Sequence, residues 1–381
     1  MSKSSAYILL IGVFFLLALG MIMLISTCVF GSGTPSDDLY HDVKRQGLWL
    51  GLGFIVCFVA ARMDFHFWKR WAWPIFGVVA VLLALCYVPG IGLEKNGESR
   101  WIGQGGFQIQ PSEFAKFALV ILMAHWYSLY PDSGSRLVRG FIVPLGLAAV
   151  LIGLIFFEVD MGTTAIMLAT LVTVMFVGGV KLRFLSTLIP AGAAGLTMML
   201  VLKPDRWERI MAFADLEAHR SDVGLQQWTA LLALGSGGAF GRGLGEGRLK
   251  MLYMPFAHTD FIFPMIGEEL GVAFTLLVVL AFGLIAFAGS VIALNAPDRF
   301  GLILGIGLVS FIVYQAALNI AVTTASFPNT GLPLPFVSYG GSAMLASMAA
   351  IGVLLNIYRQ SREATPDEFA RLARDRDTPR V

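Results

Sequence analysis

The residues of this sequence that could do chemistry are charged side chains placed where charge is costly. The stretch "MPFAHTDFIFPMIGEELG" (254–271) opens a long apolar run yet carries His258, Thr259, Asp260, Glu268 and Glu269. A carboxylate at a dry, apolar lip has its pKa raised, which is how a general base is tuned, so Asp260 is the candidate base. The plain alternative is a helix-capping carboxylate. Glu268 and Glu269 lie about 12–14 Å further along a helix. There a carboxylate costs roughly 2.5–3.5 kcal/mol. Capping does not explain them, so they need cationic or hydrogen-bonding partners, and Lys116 is one candidate. His258 alone carries little weight.

A second group precedes it in the chain. In "IQPSEFAK" (109–116), Pro111 suits the first helical position and Ser112 could help cap the helix. Glu113 and Lys116 are three apart and share a face. Lys116 is about 7 Å into that helix. It is either a snorkelling lysine paired with Glu113 or a functional group facing a cavity. Arg100 and Trp101, just before, read as an anion contact or as an interfacial anchor. Glu158 and Asp160 lie at a tight turn. Asp160 could cap the next helix with Thr163 and Thr164, or Glu158, Asp160 and Asp260 could hold a divalent cation such as Mg²⁺ or Mn²⁺.

The elements that position these groups are membrane helices. Of 381 residues, 57% are hydrophobic and 14% charged, which is too apolar for a soluble domain of this size. Apolar windows of about 20 residues run almost end to end. They do not alternate, so a β-barrel is excluded. The predicted fold is an all-α polytopic membrane protein. Its ten spans are 7–30, 46–61, 72–89, 112–130, 141–157, 161–180, 184–202, 261–289, 300–325 and 338–357. The first run has no small-residue cleavage site and reads as a retained helix. Cys28, Cys57 and Cys86 lie in apolar runs without metal-ligand spacing, so they imply no disulfide framework. A net charge of +2 says little about partners, and no nucleic-acid partner is expected.

The asymmetry of Lys and Arg orients the chain. With both termini in the cytoplasm, the inner segments hold Lys3, Arg62, Lys69, Arg70, Arg136, Arg139, Lys181, Arg183 and Arg299, and the tail adds six arginines. The short outer loops hold only Lys44, Arg45, Lys95 and Arg100. All the polar motifs then face outward, including a large loop, 203–260, between spans seven and eight. Within it "LQQWTALLAL" (225–234) reads as a short amphipathic or re-entrant helix, followed by a Gly-rich turn (235–247). No phosphate-binding motif for ATP fits there. Energy must come from an ion gradient or from an activated substrate. Residues 1–358 form one membrane domain, and 359–381 a charged cytoplasmic tail.

The motifs "RWIGQGGFQIQPSEFAK", "ALLALGSGGAFGRGLGEGRLKMLYMPFAHTDFIFPMIGEELG" and "PNTGLPLPFVSYGGS" resemble the SEDS family (shape, elongation, division and sporulation) over nearly the whole chain. "IGEELG" and "NTGLPLPFVSYGGS" are closer to its division branch than to its elongation branch. The resemblance implies a peptidoglycan glycosyltransferase that polymerises lipid II at the outer face of the inner membrane, at the division septum. It implies a class B penicillin-binding protein and other divisome membrane proteins as partners. It places the family's loop aspartate on Asp260. Its other site positions fall on Arg100, Trp101, Gln110, Pro111, Ser112, Glu113 and Lys116, with Gln226, His258, Thr259 and Ser338 as further substrate contacts. The chain departs from the usual Pro-Asp-Leu-Gly-Thr at Val159, and from Gln-Ser at Thr229-Ala230.

The expected reaction needs no ATP and no obligatory cofactor, because a diphosphate-linked donor is already activated. Asp260 takes the proton of an acceptor sugar hydroxyl, and that oxygen inverts C1 of the donor. Arg100, Lys116 and any divalent cation offset the charge of the leaving diphosphate. Glu113, Glu268 and Glu269 orient the cations or tune Asp260. The rival classes are a lipid II flippase, which intramembrane charges would also serve, and a non-catalytic scaffold, which does not need them.

Overall fold

The computed structural model describes residues 4–31, 40–95, 98–104, 107–202, 204–249 and 259–363. The chain begins with α1 (Ser4–Gly31), α2 (His41–Arg62), the short α3 (His66–Arg70) and α4 (Ala72–Leu85). A three-stranded antiparallel sheet follows, β1 (Gly92–Lys95), β2 (Glu98–Gln104) and β3 (Phe107–Ile109), in the order β1-β2-β3. Then come α5 (Pro111–Leu129), α6 (Val143–Phe157), α7 (Met161–Val177), α8 (Leu182–Leu185) and α9 (Leu188–Leu202). A π-helical turn, Leu137–Ile142, leads directly into α6. The remaining helices are α10 (Pro204–Ala214), α11 (Leu225–Gly237), α12 (Ile262–Leu294), α13 (Arg299–Thr323) and α14 (Gly341–Glu363).

Each of the ten apolar runs is helical. Among the described residues six helices are long and apolar enough to cross a membrane, and α4 and α7 are shorter apolar helices. The helix over 225–234 exists and extends to Gly237. The sheet was not expected from the sequence, nor was α10. α14 continues to Glu363, five residues into the stretch read as a tail.

The central helices are α5 and α13. α5 is buried along nearly its whole length, and α13 packs against α5, α7 and α12. Small residues allow that contact: a Cβ on Gly307 of α13 would lie 2.5 Å from Val120 and 2.9 Å from Val174. α2 and α14 form another close pair.

The bundle has two polar ends. At one end Asn356 of α14 accepts from the Phe65 amide at 2.9 Å and donates to the Ala61 carbonyl at 2.9 Å. Beside it His66 bridges two carboxylates, with Nδ1 2.8 Å from Asp64 Oδ1 and Nε2 3.1 Å from Asp298 Oδ2. Asp298 also caps α13, accepting from the Gly301 amide at 2.7 Å. At the other end lie the sheet, the 158–160 turn, α11, the starts of α5 and α12 and the 324–340 loop, which carry Arg100, Glu113, Lys116, Glu158, Asp160, Asp260, Glu268 and Glu269.

The His66 bridge ties the connection between α2 and α3 to the one between α12 and α13, and it depends on pH. The hydrogen bond to Asp298 raises its pKa most, burial opposes the rise, and Asp64 adds to it. A raised histidine stabilises the fold fully below its ordinary value of about 6.5, and the contribution is lost as pH climbs through the folded value. The melting temperature of the detergent-solubilised protein is therefore expected to fall between about pH 6 and about pH 8. His66→Gln should flatten that slope; an equal slope in both proteins would show that the bridge contributes nothing.

Candidate functional site

Asp260 stands two residues before α12, half-buried, and its backbone is held from below. Asn319 Nδ2 of α13 donates to the Asp260 carbonyl at 2.8 Å and to the Leu332 carbonyl at 2.7 Å. One turn away on the same helix, Gln315 Nε2 donates to the Pro333 carbonyl at 3.0 Å. Two amides spaced four apart thus hold both Asp260 and the 332–333 segment on one face of α13. The carboxylate itself abuts Gly331: a Cβ there would lie 3.4 Å from Asp260 Oδ2, and the backbone has φ +69. Glycine is the residue that permits both the left-handed turn and the close approach.

Loss of water pushes the Asp260 carboxyl up to about 6. A hydrogen bond from Thr259 and the charge of Arg100 pull it down, Asp160 adds to the rise, and Arg209 pulls it down. Arg100, Asp160 and Arg209 therefore share the electrostatic field of Asp260. Arg209, from α10, was not singled out in the sequence.

Arg100 is held by a strained turn. Its Nη2 donates to the Val159 carbonyl at 2.7 Å and its Nε to the Glu158 carbonyl at 3.4 Å. Its Nη1 lies 3.8 Å from Asp160 Oδ2. Val159 has φ +64, a left-handed conformation that a β-branched residue adopts only under constraint. Asp160 caps α7: Oδ1 accepts from the Thr163 amide at 3.0 Å and Oδ2 from its hydroxyl at 2.9 Å. The capping role and the charged-site role are both filled by one carboxylate. Glu158 is buried, and among the described residues the Cys86 thiol is the polar side chain that approaches its carboxyl. Burial, followed by the nearby Asp160 charge, pushes its carboxyl up to about 8. At neutral pH it is mostly uncharged.

Lys116 is fully buried, with Nζ 2.8 Å from Glu113 Oε2 and a second bond to Gln315 Oε1. It connects to Asp260 through Gln315 and the 332–333 segment, and its partner is not Glu268 or Glu269. Those two carboxylates are met mainly by backbone. Glu269 Oε2 accepts from the Gly245 amide at 2.9 Å and from the Ser26 hydroxyl at 2.6 Å. Glu268 Oε1 accepts from the Arg248 amide at 2.9 Å and lies 3.9 Å from Arg242 Nη1. The Gly-rich turn, not a lysine, offsets the burial of this pair.

Other expected site residues lie further out. Ser112 does not cap α5: Gln110 is the N-cap, without a side-chain bond, and the Ser112 hydroxyl has no partner among the described residues. The Gln110 amide donates to Ser342 Oγ at 2.9 Å. Ser338 is buried, and its hydroxyl accepts from the Leu334 amide at 2.8 Å, so it closes a turn. Gln226 accepts from Asn329 at 2.8 Å. Trp101 is half-buried in β2, opposite Leu93. His258 lies outside the described residues. Among the described residues no three His, Cys, Asp or Glu side chains converge as a metal-binding group.

The geometry joins a half-buried carboxylate and a held arginine at one end of an apolar bundle. Comparisons with known proteins give it a context. The family model of the FtsW/RodA/SpoVE cell cycle proteins matches residues 7–363. Stage V sporulation protein E of Bacillus subtilis (strain 168) is 37% identical over 347 residues, 91% of this chain and 95% of that protein. The probable peptidoglycan glycosyltransferase FtsW of Geobacter sp. (strain M18) is 37% identical over 345 residues, 91% and 94% of the two chains. Among solved structures, a chain from a peptidoglycan synthase complex that coordinates polymerization and crosslinking superposes with TM-score 0.78 at 27% identity. It covers 93% of this chain and 98% of that one. The rod shape determining protein RodA of Thermus thermophilus superposes with TM-score 0.68 at 27% identity, covering 92% and 96%.

The turn that anchors Arg100 can be tested directly. Glycine accepts φ +64 freely, so Val159→Gly is expected to stabilise the protein by on the order of 1 kcal/mol. Proline fixes φ near about −65° and removes the amide, which here donates to the Phe156 carbonyl at 3.0 Å. Val159→Pro should lower the melting temperature in detergent. A proline variant as stable as the parent would mean the turn takes another conformation.

Proposed function

This chain belongs to the FtsW/RodA/SpoVE family of cell cycle proteins, and from that premise and the site geometry we infer that it is a peptidoglycan glycosyltransferase. It is a multi-pass membrane enzyme of the cell wall, and its naming relatives favour the division role. We place its two termini in the cytoplasm and its charged end outside, on the asymmetry of Lys and Arg in the connections. Its substrate in this reading is lipid II, and its site of action the septum.

The observation that carries the mechanism is a carboxylate made more basic by loss of water, next to a fixed arginine. Asp260 accepts the proton of the acceptor sugar's 4-hydroxyl. The oxygen attacks C1 of the donor sugar, the C1–O bond to the diphosphate breaks with inversion, and the lipid diphosphate leaves. Arg100, pre-set by the carbonyls of Glu158 and Val159, faces the negative charge that develops on the leaving group. Lys116, already paired on two sides, supports this site through Gln315 and does not contact the diphosphate. Asp160, engaged with the Thr163 amide and hydroxyl and with Arg100, fixes the arginine in this reading. A class B penicillin-binding protein is the partner that crosslinks the product strands. The synthase complex among the structural relatives supports this pairing.

Reconstitution with lipid II and the partner transpeptidase tests the reading. Asp260→Asn is expected to keep the fold and reduce glycan synthesis by about 10²-fold or more. Lipid II transfer across vesicles without glycan product would favour a flippase instead. Asp260 works as a base only when deprotonated, so the wild-type rate should rise with pH along a limb centred near 6. An acid limb near about 4, the ordinary aspartate range, would mean that loss of water does not raise the Asp260 carboxyl during catalysis.

A further inference from the structure

α12 stops being helical at Gly271, which has φ 82 and ψ 179. In an unbroken helix the Val272 amide would donate to the Glu268 carbonyl and the Ala273 amide to the Glu269 carbonyl. Both pairs are split. The Val272 amide donates to the Gly238 carbonyl at 3.0 Å and the Ala273 amide to the Ala239 carbonyl at 3.3 Å. The Glu268 and Glu269 carbonyls accept from the Arg242 and Gly243 amides, each at 3.0 Å. Gly238 with Arg242, and Ala239 with Gly243, are also four residues apart. Two turns that could each close their own hydrogen bonds have exchanged partners.

The number of backbone bonds is the same either way, so hydrogen bonding alone does not choose between the two arrangements. The side chains of Glu268 and Glu269 do. Their bonds to the amides of Gly245, Arg248 and Leu249 form only when residues 243–249 lie against the break. Ser26 of α1 adds a third element to the same knot. Glycines make the contact possible: a Cβ on Gly237 would lie 1.9 Å from the Gly267 carbonyl, and one on Gly241 2.1 Å from the Glu269 carbonyl.

We propose that residues 238–249 and the broken turn of α12 form a two-state element, and that Glu268 and Glu269 are positioning residues that hold its exchanged state. Asp260 stands inside the stretch this state closes. The Glu268 carboxylate ties the Leu249 amide to α12, so the chain from 249 to 268 is fixed at both ends, and Asn319 fixes Asp260 from α13. Release of the turn removes one of these two ties and leaves the Asn319 bond to the Asp260 carbonyl. Two arrangements with equal bond counts, biased by a few charge-assisted contacts, are a bistable element. The proposal deepens the reading of Asp260 as the base and rests on it.

The test uses the full-length protein reconstituted with its transpeptidase partner, with lipid II as substrate. Amide hydrogen exchange is followed over 238–249 alongside kcat and KM. Removing charge-assisted bonds from Glu269→Ala should speed exchange in that segment by about tenfold and lower kcat by a similar factor, with KM little changed. Glu269→Gln, which keeps an acceptor oxygen, should restore part of both. Gly271→Ala, which disfavours φ +82, should also speed exchange. Unchanged exchange in Glu269→Ala overturns the two-state element. Faster exchange with wild-type kcat overturns the positioning role. Asp260→Asn should leave exchange as in the wild type; glycan synthesis by that variant would end the base assignment while leaving the exchange result to judge the element.

Discussion

An apolar bundle cannot leave a peptide group bare, and the charged end of this protein is organised by that constraint. A helix broken at Gly271 frees two carbonyls and two amides from their helical partners. The chain supplies their partners from the Gly-rich turn after α11. The turn can come close enough only because glycines stand at the points of contact. Its own amides then fall to Glu268 and Glu269, so these carboxylates are buried at little net cost. The backbone match and the buried charges are one arrangement, since each would be untenable without the other.

The same logic applies one layer across. Gln315 and Asn319 are polar side chains on the apolar α13, and each earns its place by holding a carbonyl of the 332–333 segment. Gln315 also takes the Lys116 ammonium, and Asn319 also takes the Asp260 carbonyl. Lys116 and Asp260 thus sit on one rigid helix face without touching. Lys116 and Asp260 are thereby linked through α13 and the 332–333 segment.

The helices were legible in the sequence because hydropathy and length are local properties, and all ten apolar runs are helical. The sheet was not. β1 has four residues and β3 three, too short for alternation to show. Asp260, Arg100 and Asp160 could be singled out because charge beside an apolar run is rare. Their convergence could not, since they come from three elements far apart in sequence. The partners of Glu268 and Glu269 were invisible for a different reason: a backbone amide has no side-chain signature, and only the run of glycines hinted at it. Gln315 and Asn319 were missed although a signal existed. Two amides four apart inside an apolar run carry a cost of the same kind as the one that drew attention to Glu268. Arg209 gave no such signal, because an arginine in a polar stretch is ordinary.

Capping and catalysis are often treated as rival readings of a carboxylate at a helix start, and Asp160 shows why they need not be. Its bonds to the Thr163 amide and hydroxyl fix the carboxylate at the head of α7. A fixed carboxylate can in turn fix Arg100, which the carbonyls of Glu158 and Val159 grip from the other side. Those carbonyls point at one guanidinium because Val159 is left-handed, and a left-handed valine persists only where its surroundings overdetermine it. Glu158, buried and mostly uncharged, adds little negative charge to compete with Asp160 for the arginine. The strain at Val159 is thus the local cost of a held arginine, which in the proposed reaction needs no rearrangement when negative charge develops. Pre-setting of this kind is the property that separates an electrostatic catalyst from a surface ion pair.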